Sequence, residues 1–226
     1  MLAFLAVASL GLADEAPHKR PDPKRFAKDI AKFTLDDEAN PPAKGGIVFT
    51  GSSSIRLWAD LQKDFPDLPV LNRGFGGSVA NDLNVYAQEV ALRYEPKVLV
   101  LYTGSNDINA KLTVNEALAD YTKFLELIHN KLPATHVIVN SVKVSSSRIK
   151  QVETVKQLNA ALETWTKDKP WVTWVEATSH LMDKDGRIRD EIFRADHLHL
   201  NADGYAEWKK ILDPVLRKTW AQVNQP

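Results

Sequence analysis

The sequence predicts an α/β fold: a three-layer α/β/α sandwich whose sheet is mostly parallel and has about five strands. The main observation is that, from Gly45 onward, short β-branched runs alternate with longer amphipathic stretches. The apolar runs indicate strands buried on both faces, and helices between them imply right-handed crossovers in a parallel sheet. The length is the second observation, because 226 residues suit one large domain with a short leader. We assign the domain to residues 45–226.

The N-terminus predicts a leader. The first 13 residues are MLAFLAVASLGLA and carry no charge. A short apolar run that ends in small residues is typical of a secretory signal peptide, and it is too short to span a bilayer, which takes about 20 apolar residues. We therefore expect a signal peptide over residues 1–13 and a secreted, periplasmic or cell-envelope protein without an integral membrane segment.

Residues 14–44 predict a linker followed by an N-terminal helix. Three prolines stand among charged residues before Phe26, a composition that favours an extended, solvated tether. Phe26, Ile30 and Phe33 then recur at helical spacing, so we expect one apolar stripe to pack on the main domain. An Asn-Pro-Pro sequence ends this helix.

The main domain is predicted to alternate strands and helices. The strand candidates are rich in β-branched residues and lie at Ile47–Thr50, Val70–Asn72, Val98–Tyr102, Val137–Val139 and Val172–Val175. The amphipathic stretches predict helices near Ile55–Phe65, Val79–Arg93, Thr113–Leu132, Val152–Lys167 and Ala202–Trp220. Thr113 and Glu116 have the spacing of a capping box, which indicates where one of these helices begins.

The composition excludes several classes of protein. The 29 Lys and Arg residues balance 29 Asp and Glu residues, so no excess of positive charge is present to bind nucleic acid. The chain has no cysteine, which excludes disulfides, thiolate nucleophiles and zinc fingers. We expect a small-molecule or glycan partner rather than a nucleic acid.

Four loops carry the candidate chemistry, and three of them follow predicted strands, where a parallel sheet binds its ligands. Each loop alone is compatible with an ordinary turn or helix cap. Together they supply the hydroxyl, imidazole, carboxylate and amide groups that an acyl-transfer enzyme requires. They are Gly51-Ser52-Ser53-Ser54, Gly74-Phe75-Gly76-Gly77-Ser78, Gly104-Ser105-Asn106-Asp107 and, before the last helix, Asp196-His197-Leu198-His199.

These loops resemble the sequence blocks of the SGNH superfamily, also called GDSL-type esterases and lipases. The resemblance extends from about Ile47 to about Tyr205. The GxND block is matched without change by residues 104–107, and the DxxH block is matched by Asp196 and His199. In the first block Gly-Ser-Ser-Ser stands where the family has Gly-Asp-Ser-Leu, and its position selects Ser53 as the nucleophile. The resemblance implies the same three-layer α/β/α fold.

The resemblance also implies a mechanism without cofactor or metal. His199 would remove the proton of Ser53, and Asp196 would hold the imidazole and stabilise its charged form. The N–H groups of Ser53 and Gly77 and the side-chain amide of Asn106 would form the oxyanion hole. The expected reaction is hydrolysis of a short-chain acyl or acetyl carboxylic ester through an acyl-enzyme.

The substrate pocket is less defined by the sequence. Arg73 could meet an anionic substrate group, and Phe75 and Tyr102 could line the acyl pocket. The segment Ser145–Lys150 and the loop Asp183–Arg194 are candidates for its walls. A secreted chain makes carbohydrate deacetylation more attractive than lipid hydrolysis.

The same residues are partly compatible with two other enzyme classes. Asp196, His197 and His199, with His180 and Asp107 as additions, could ligate a divalent metal in a phosphoesterase. The α/β-hydrolase family also orders its residues Ser, Asp, His. Its GxSxG elbow, however, needs a glycine where this chain has isoleucine.

A further alternative is a non-catalytic, secreted carbohydrate-binding protein on the same fold. Ser52 replaces the Asp of the first block, which favours it. The six tryptophans could stack on sugars, although filling the core or covering helices is the more common role for each of them.

Overall fold

The computed structural model describes residues 17–224 of the chain, so the signal peptide predicted over residues 1–13 lies outside the described residues. Five parallel strands form one sheet in the order β2-β1-β3-β4-β5. Their bounds are β1 Ile47–Gly51, β2 Val70–Gly74, β3 Val98–Tyr102, β4 His136–Asn140 and β5 Val172–Val175. All five lie where the sequence predicts strands. In the register of the sheet, Gly51 pairs with both Gly74 and Tyr102, so β1, β2 and β3 end side by side.

Helices cover both faces of the sheet. The α-helices are α1 Ala27–Ala39, α2 Ser53–Arg56, α3 Leu61–Asp64, α4 Ala80–Val85, α5 Ala87–Val90, α6 Ser105–Asn109, α7 Val114–Lys131, α8 Val152–Thr166 and α9 Ala202–Val223. Short 3-10 turns occur at Pro23–Phe26, Leu92–Tyr94, Ser146–Gln151, Ser179–Leu181 and Asp190–Ile192. Within residues 17–224, no helix combines the length and the apolar character that crossing a membrane requires.

Two apolar cores lie on opposite faces of the sheet, because successive side chains of a strand point to opposite sides. Leu99 and Leu101 of β3 belong to the core under α1, α4, α5, α7 and α8. Val98 and Val100 of the same strand belong to the core under α2, α3 and α9. The fold is therefore the predicted three-layer α/β/α sandwich.

Two predicted helices are divided in the structure. The stretch Ile55–Phe65 forms α2 and α3, with Trp58 between them. The indole of Trp58 is buried, and its N–H donates to the Asp64 carboxylate at 2.7 Å. The backbone between the two helices is not helical at this residue. The stretch Val79–Arg93 forms α4, α5 and a 3-10 turn, and the helix breaks at Tyr86, whose hydroxyl donates to the carbonyl of Pro23 at 3.0 Å.

The N-terminal segment lies against the domain. Phe26, at the end of the 3-10 turn that precedes α1, and Ile30 of α1 are buried, and Phe33 is half-buried, as the stripe predicts; α1 ends at Ala39. Residues 17–22 have neither helix nor strand, but they are not the solvated tether that their composition favours. His18 and Arg20 bind Glu116 at the start of α7, and Arg20 also donates to Asp120 at 2.9 Å. Ion pairs with a distant helix are invisible in composition, which explains the difference.

Candidate active site

The turn after β1 places Ser53 at the start of a short helix. Gly51 has φ +132°, and a Cβ atom there would lie 1.8 Å from the carbonyl oxygen of Tyr102, so only glycine fits. The chain then leaves the sheet, and Ser53 opens α2. Two side chains hold this turn: Tyr205 donates to the Ser54 carbonyl at 2.9 Å, and Asn72 donates to the Ile55 carbonyl at 2.7 Å.

Ser53, His199 and Asp196 form a continuous hydrogen-bonded chain. The Oγ of Ser53 lies 2.9 Å from Nε2 of His199, although 146 positions separate the two residues in sequence. On the other side of the ring, Nδ1 of His199 lies 2.6 Å from Oδ2 of Asp196. An imidazole between a hydroxyl and a carboxylate can accept the hydroxyl proton while the carboxylate stabilises the resulting positive charge.

The Asp196 loop orients its own carboxylate. Oδ1 of Asp196 accepts hydrogen bonds from the N–H groups of Leu198 at 3.0 Å and His199 at 2.9 Å. Burial would raise the pKa of Asp196, but these two hydrogen bonds and the one from the His199 ring together hold its pKa well below the usual range. The carboxylate is therefore ionised and remains an acceptor for the imidazole.

The three residues that carry the candidate oxyanion donors, Ser53, Gly77 and Asn106, line one cleft of about 420 Å³ together with His199. The N–H groups of Ser53 and Gly77 have no acceptor within residues 17–224. Gly77 has φ +85°, a conformation that glycine adopts without strain. The third donor is the Asn106 amide, whose Nδ2 also donates to the Ser78 carbonyl at 3.0 Å.

Two cationic residues that the sequence analysis did not select hold these loops. Arg148 donates to Oδ1 of Asn106 at 3.0 Å and to the carbonyl and hydroxyl of Ser105 at 2.8 and 2.7 Å. Lys143 is buried, and its Nζ lies 2.5 Å from the carbonyl oxygen of Leu198, next to His199. Burial lowers the pKa of Lys143 to about 7, and the charge of Arg148 acts in the same direction. Only the expectation that Ser145–Lys150 forms a pocket wall pointed to either residue.

A buried carboxyl links the third loop to the glycine loop. Oδ1 of Asp107 accepts a hydrogen bond from the N–H of Ala80 at 2.9 Å, at the beginning of α4, while Oδ2 has no partner within residues 17–224. Burial raises the pKa of Asp107 to about 7, and the nearby Asp120 and Asp82 contribute in the same direction. Asp107 therefore holds the two loops together.

The three residues suggested for substrate binding do not line the cleft. Arg73 is buried, forms an ion pair with Asp37 of α1 and donates to the Tyr94 hydroxyl at 2.6 Å. Phe75 packs edge-on against Phe26, with ring centres 5.0 Å apart. Tyr102 packs against Trp208. The side chains of Phe75 and Tyr102 therefore belong to the two apolar cores, and Arg73 serves an ion pair with α1.

The alternative sites are not assembled either. Within residues 17–224, no group of three or more His, Asp or Glu side chains has the arrangement of a metal site. His197 faces Asp190 at 3.4 Å, whereas His199 contacts Ser53 and Asp196.

No tryptophan lines the cleft, and Trp58 and Trp208 are fully buried. The loop Asp183–Arg194 also stays outside it.

Comparisons with known proteins identify the family of the chain. The model of the GDSL-like lipase/acylhydrolase family matches residues 45–207. Comparison with curated protein sequences gives no match.

Among solved structures, a Streptococcus pneumonia protein whose name refers to platelet activating factor has a TM-score of 0.75 at 24% identity, covering 85% of this chain and 93% of its own. A GDSL-like lipase from Bacteroides thetaiotaomicron has a TM-score of 0.70 at 17% identity, covering 87% of this chain and 98% of its own. A mutant of an acetyl-xylooligosaccharide esterase from Geobacillus Stearmophilus has a TM-score of 0.59 at 13% identity, covering 82% and 97%. With the family match over residues 45–207, the chain belongs to the GDSL-like lipase/acylhydrolase family, the SGNH hydrolases.

Proposed function

We propose that the protein is a secreted serine esterase that removes acetyl or other short acyl groups from carboxylic esters. The observation that supports the proposal most is the hydrogen-bonded chain from Ser53 Oγ to His199 at 2.9 Å and on to Asp196 at 2.6 Å. The leader predicted over residues 1–13 supports secretion, and N-terminal sequencing of protein recovered from the medium would test it.

The reaction follows from the positions of these groups. Ser53 Oγ attacks the ester carbonyl carbon while Nε2 of His199 takes its proton, and the carbonyl oxygen becomes an oxyanion. The N–H groups of Ser53 and Gly77 and the Asn106 amide face that charge, which exists only in the tetrahedral intermediate. His199 then gives its proton to the leaving alcohol, and an acyl-enzyme remains. Water activated by His199 hydrolyses it to the free acid and restores Ser53.

Two observations favour short acyl groups. The cleft of about 420 Å³ is lined mainly by glycines and polar side chains, with Leu198 as its one large apolar residue. A long alkyl chain would therefore find little apolar surface to bury there. The similar solved structures include an acetyl-xylooligosaccharide esterase, so acetylated glycans are the first substrates to test.

Ser53→Ala and His199→Ala should each lower kcat for p-nitrophenyl acetate by at least about a thousandfold, because each removes a group that acts in the same proton transfer. Initial rates check this, with thermal melting to show that each variant is folded. A serine-directed phosphonate should label the wild type and leave Ser53→Ala unlabelled.

The matched control is Ser52→Ala, which removes a buried neighbouring hydroxyl that caps no backbone group. It should keep its activity. Wild-type rates in folded Ser53→Ala would refute the proposal. A panel of esters from acetyl to palmitoyl should show rates that fall with acyl length, and a preference for palmitoyl would contradict the short-chain assignment.

A further inference from the structure

A second cavity of about 490 Å³ adjoins the cleft, and Arg148 lines both. Lys111 and Lys150 also line this cavity, and its lining contains no acidic residue. On the cleft side, the lining adds Arg56 and one carboxylate, Asp29. Cleft and cavity together therefore present four cations and a single acid, in a chain whose overall formal charge is zero.

None of these four cations has a carboxylate partner among residues 17–224. Elsewhere in the described chain, pairing is common, as for Arg73 with Asp37 and Arg217 with Asp67. Asp29 forms no ion pair with any of the four cations of the cleft and cavity, and one carboxylate offsets only part of their charge.

Arg148 is the central cation of this surface. Its guanidinium is partly buried, and all its acceptors are neutral oxygens of Ser105 and Asn106. Removing a charge from water without an opposite charge costs free energy, and burial lowers the pKa of Arg148 accordingly. Its Nε–H has no acceptor among the described residues and remains available to a ligand.

Arg56 approaches from the turn that carries Ser53. A Cβ atom on Gly76 would lie 2.6 Å from Nε of Arg56, so the arginine lies directly on the glycine loop beside Gly77. Because Arg56 also lines the cleft, its charge is close to the ester that Ser53 would attack.

We propose that this cationic groove, made of Arg56, Lys111, Arg148 and Lys150, binds a carboxylate or phosphate carried by the alcohol part of the ester. Arginine supplies planar paired donors for such oxyacids, and lysine supplies point charges further along the groove. The inference rests on the proposed esterase function and specifies its substrate class: acetylated molecules, such as acidic sugars, that bear a negative charge beyond the scissile bond.

The test compares matched monoacetylated methyl glycosides: the neutral glucoside, the glucuronide and the glucoside 6-phosphate. The wild type should hydrolyse at least one charged ester with a kcat/KM about tenfold above that of the neutral one. This ratio should fall as salt rises, because ions screen partly exposed charges. The charged ester with the higher kcat/KM shows whether carboxylate or phosphate is the natural group.

Variants of the groove should move the ratio in opposite directions. The double variant Lys111→Gln/Lys150→Gln should lower it about tenfold, whereas Asp29→Asn should raise it. Lys123→Gln removes an exposed charge on α7, outside both cavities, and should leave the ratio at the wild-type value. Equal kcat/KM values for the neutral and both charged esters in the wild type would overturn the inference while leaving the esterase function intact.

A binding measurement separates the two proposals when turnover fails. Calorimetry of the full-length Ser53→Ala variant should show that methyl glucuronide or methyl glucoside 6-phosphate binds more tightly than methyl glucoside. Tighter binding without wild-type turnover of any ester would support the groove and refute the esterase. Equal binding of all three glycosides would refute the groove.

Discussion

At the scale of single residues, the candidate site depends on side chains that fix the orientation of other side chains. Asp196 accepts two backbone N–H groups and the His199 ring, so the imidazole has little freedom to rotate. Lys143 also holds this loop, because it donates a hydrogen bond to the carbonyl of Leu198, which lies between Asp196 and His199 in sequence. This lysine is also buried, and burial disfavours the charged form of its amino group, so it is a costly residue for holding a loop.

Lys143→Met should therefore separate activity from stability. The variant loses the donor to Leu198, and displacement of the neighbouring imidazole by as little as about 1 Å can cost about a hundredfold in rate. We expect kcat to fall between about tenfold and a hundredfold with little change in KM. The melting temperature should hold or rise, because a buried amino group, whose charged form burial disfavours, is replaced by an apolar side chain of similar length.

Steady-state kinetics and thermal melting measure the two effects, with Lys123→Met as the same substitution at an exposed position. Unaltered kcat in folded Lys143→Met would show that the hydrogen bond from Lys143 to Leu198 does not position His199.

Among single residues, the sequence predicted those that belong to recognisable loops and missed those that do not. Ser53, Asn106, Asp196 and His199 stand in motifs, and the structure brings all four to one site. Arg148 reaches Asn106 across 42 positions from a segment without a motif, so only the folded chain reveals the contact. Arg73 shows the opposite error, since its place beside the glycine loop in sequence does not direct its side chain to the cleft.

At the scale of elements, the ends of β1 and β2 show two different uses of glycine. Gly51 combines φ +132° with a Cβ position 1.8 Å from the Tyr102 carbonyl oxygen. Gly77 has φ +85°, but nothing lies within 4 Å of its Cβ position. The first glycine is required by both backbone and neighbour, and the second by backbone alone.

Gly77→Ala should destabilise the protein by about 1–2 kcal/mol, the usual cost of a left-handed residue with a side chain. Gly51→Ala should cost more than about 4 kcal/mol or prevent folding, because a strand of the sheet must move to accept the methyl group. Urea unfolding gives both values.

Gly186→Ala is the matched control for Gly77, since it has φ +77° and equally open space in a loop that does not line the cleft. The two variants should lose similar stability, but only Gly77→Ala should lose activity. Equal stabilities of Gly51→Ala and Gly77→Ala would contradict the steric argument.

Strands were more predictable than helices because their signal is local. The five β-branched runs coincide with β1 to β5, where burial on both faces dictates residue type. The divisions between α2 and α3 and between α4 and α5 occur at Trp58 and Tyr86, which both contact residues distant in sequence: Trp58 stacks on Tyr205, and Tyr86 donates to the Pro23 carbonyl. An amphipathic pattern cannot report such contacts, since it records only the distance between apolar residues.

At the scale of the whole molecule, Asp107 couples stability to pH. Its folded pKa of about 7 exceeds that of an exposed aspartate, so the native state binds the proton more tightly than the unfolded chain does. The contribution to stability is fully present below about pH 4 and is lost as pH rises towards 7. Asp107→Asn carries no charge at any pH and keeps an oxygen for the Ala80 N–H.

The melting temperature of Asp107→Asn minus that of the wild type should therefore increase between about pH 4 and pH 7 and level off above. Asp168→Asn changes an exposed carboxylate that water solvates in both states, and its difference should stay flat. A flat difference for Asp107→Asn as well would mean that the folded protein accommodates the charged carboxylate without cost.

The separation of Ser53 from His199 by 146 positions has a consequence for synthesis on the ribosome. The segment that contains Ser53, Gly77 and Asn106 is translated before His199, so the proposed nucleophile and amide donors emerge before the proposed base. Domains fold as units once enough chain has emerged. We therefore expect a nascent or prematurely terminated product that stops before position 199 to hydrolyse no ester through the proposed mechanism.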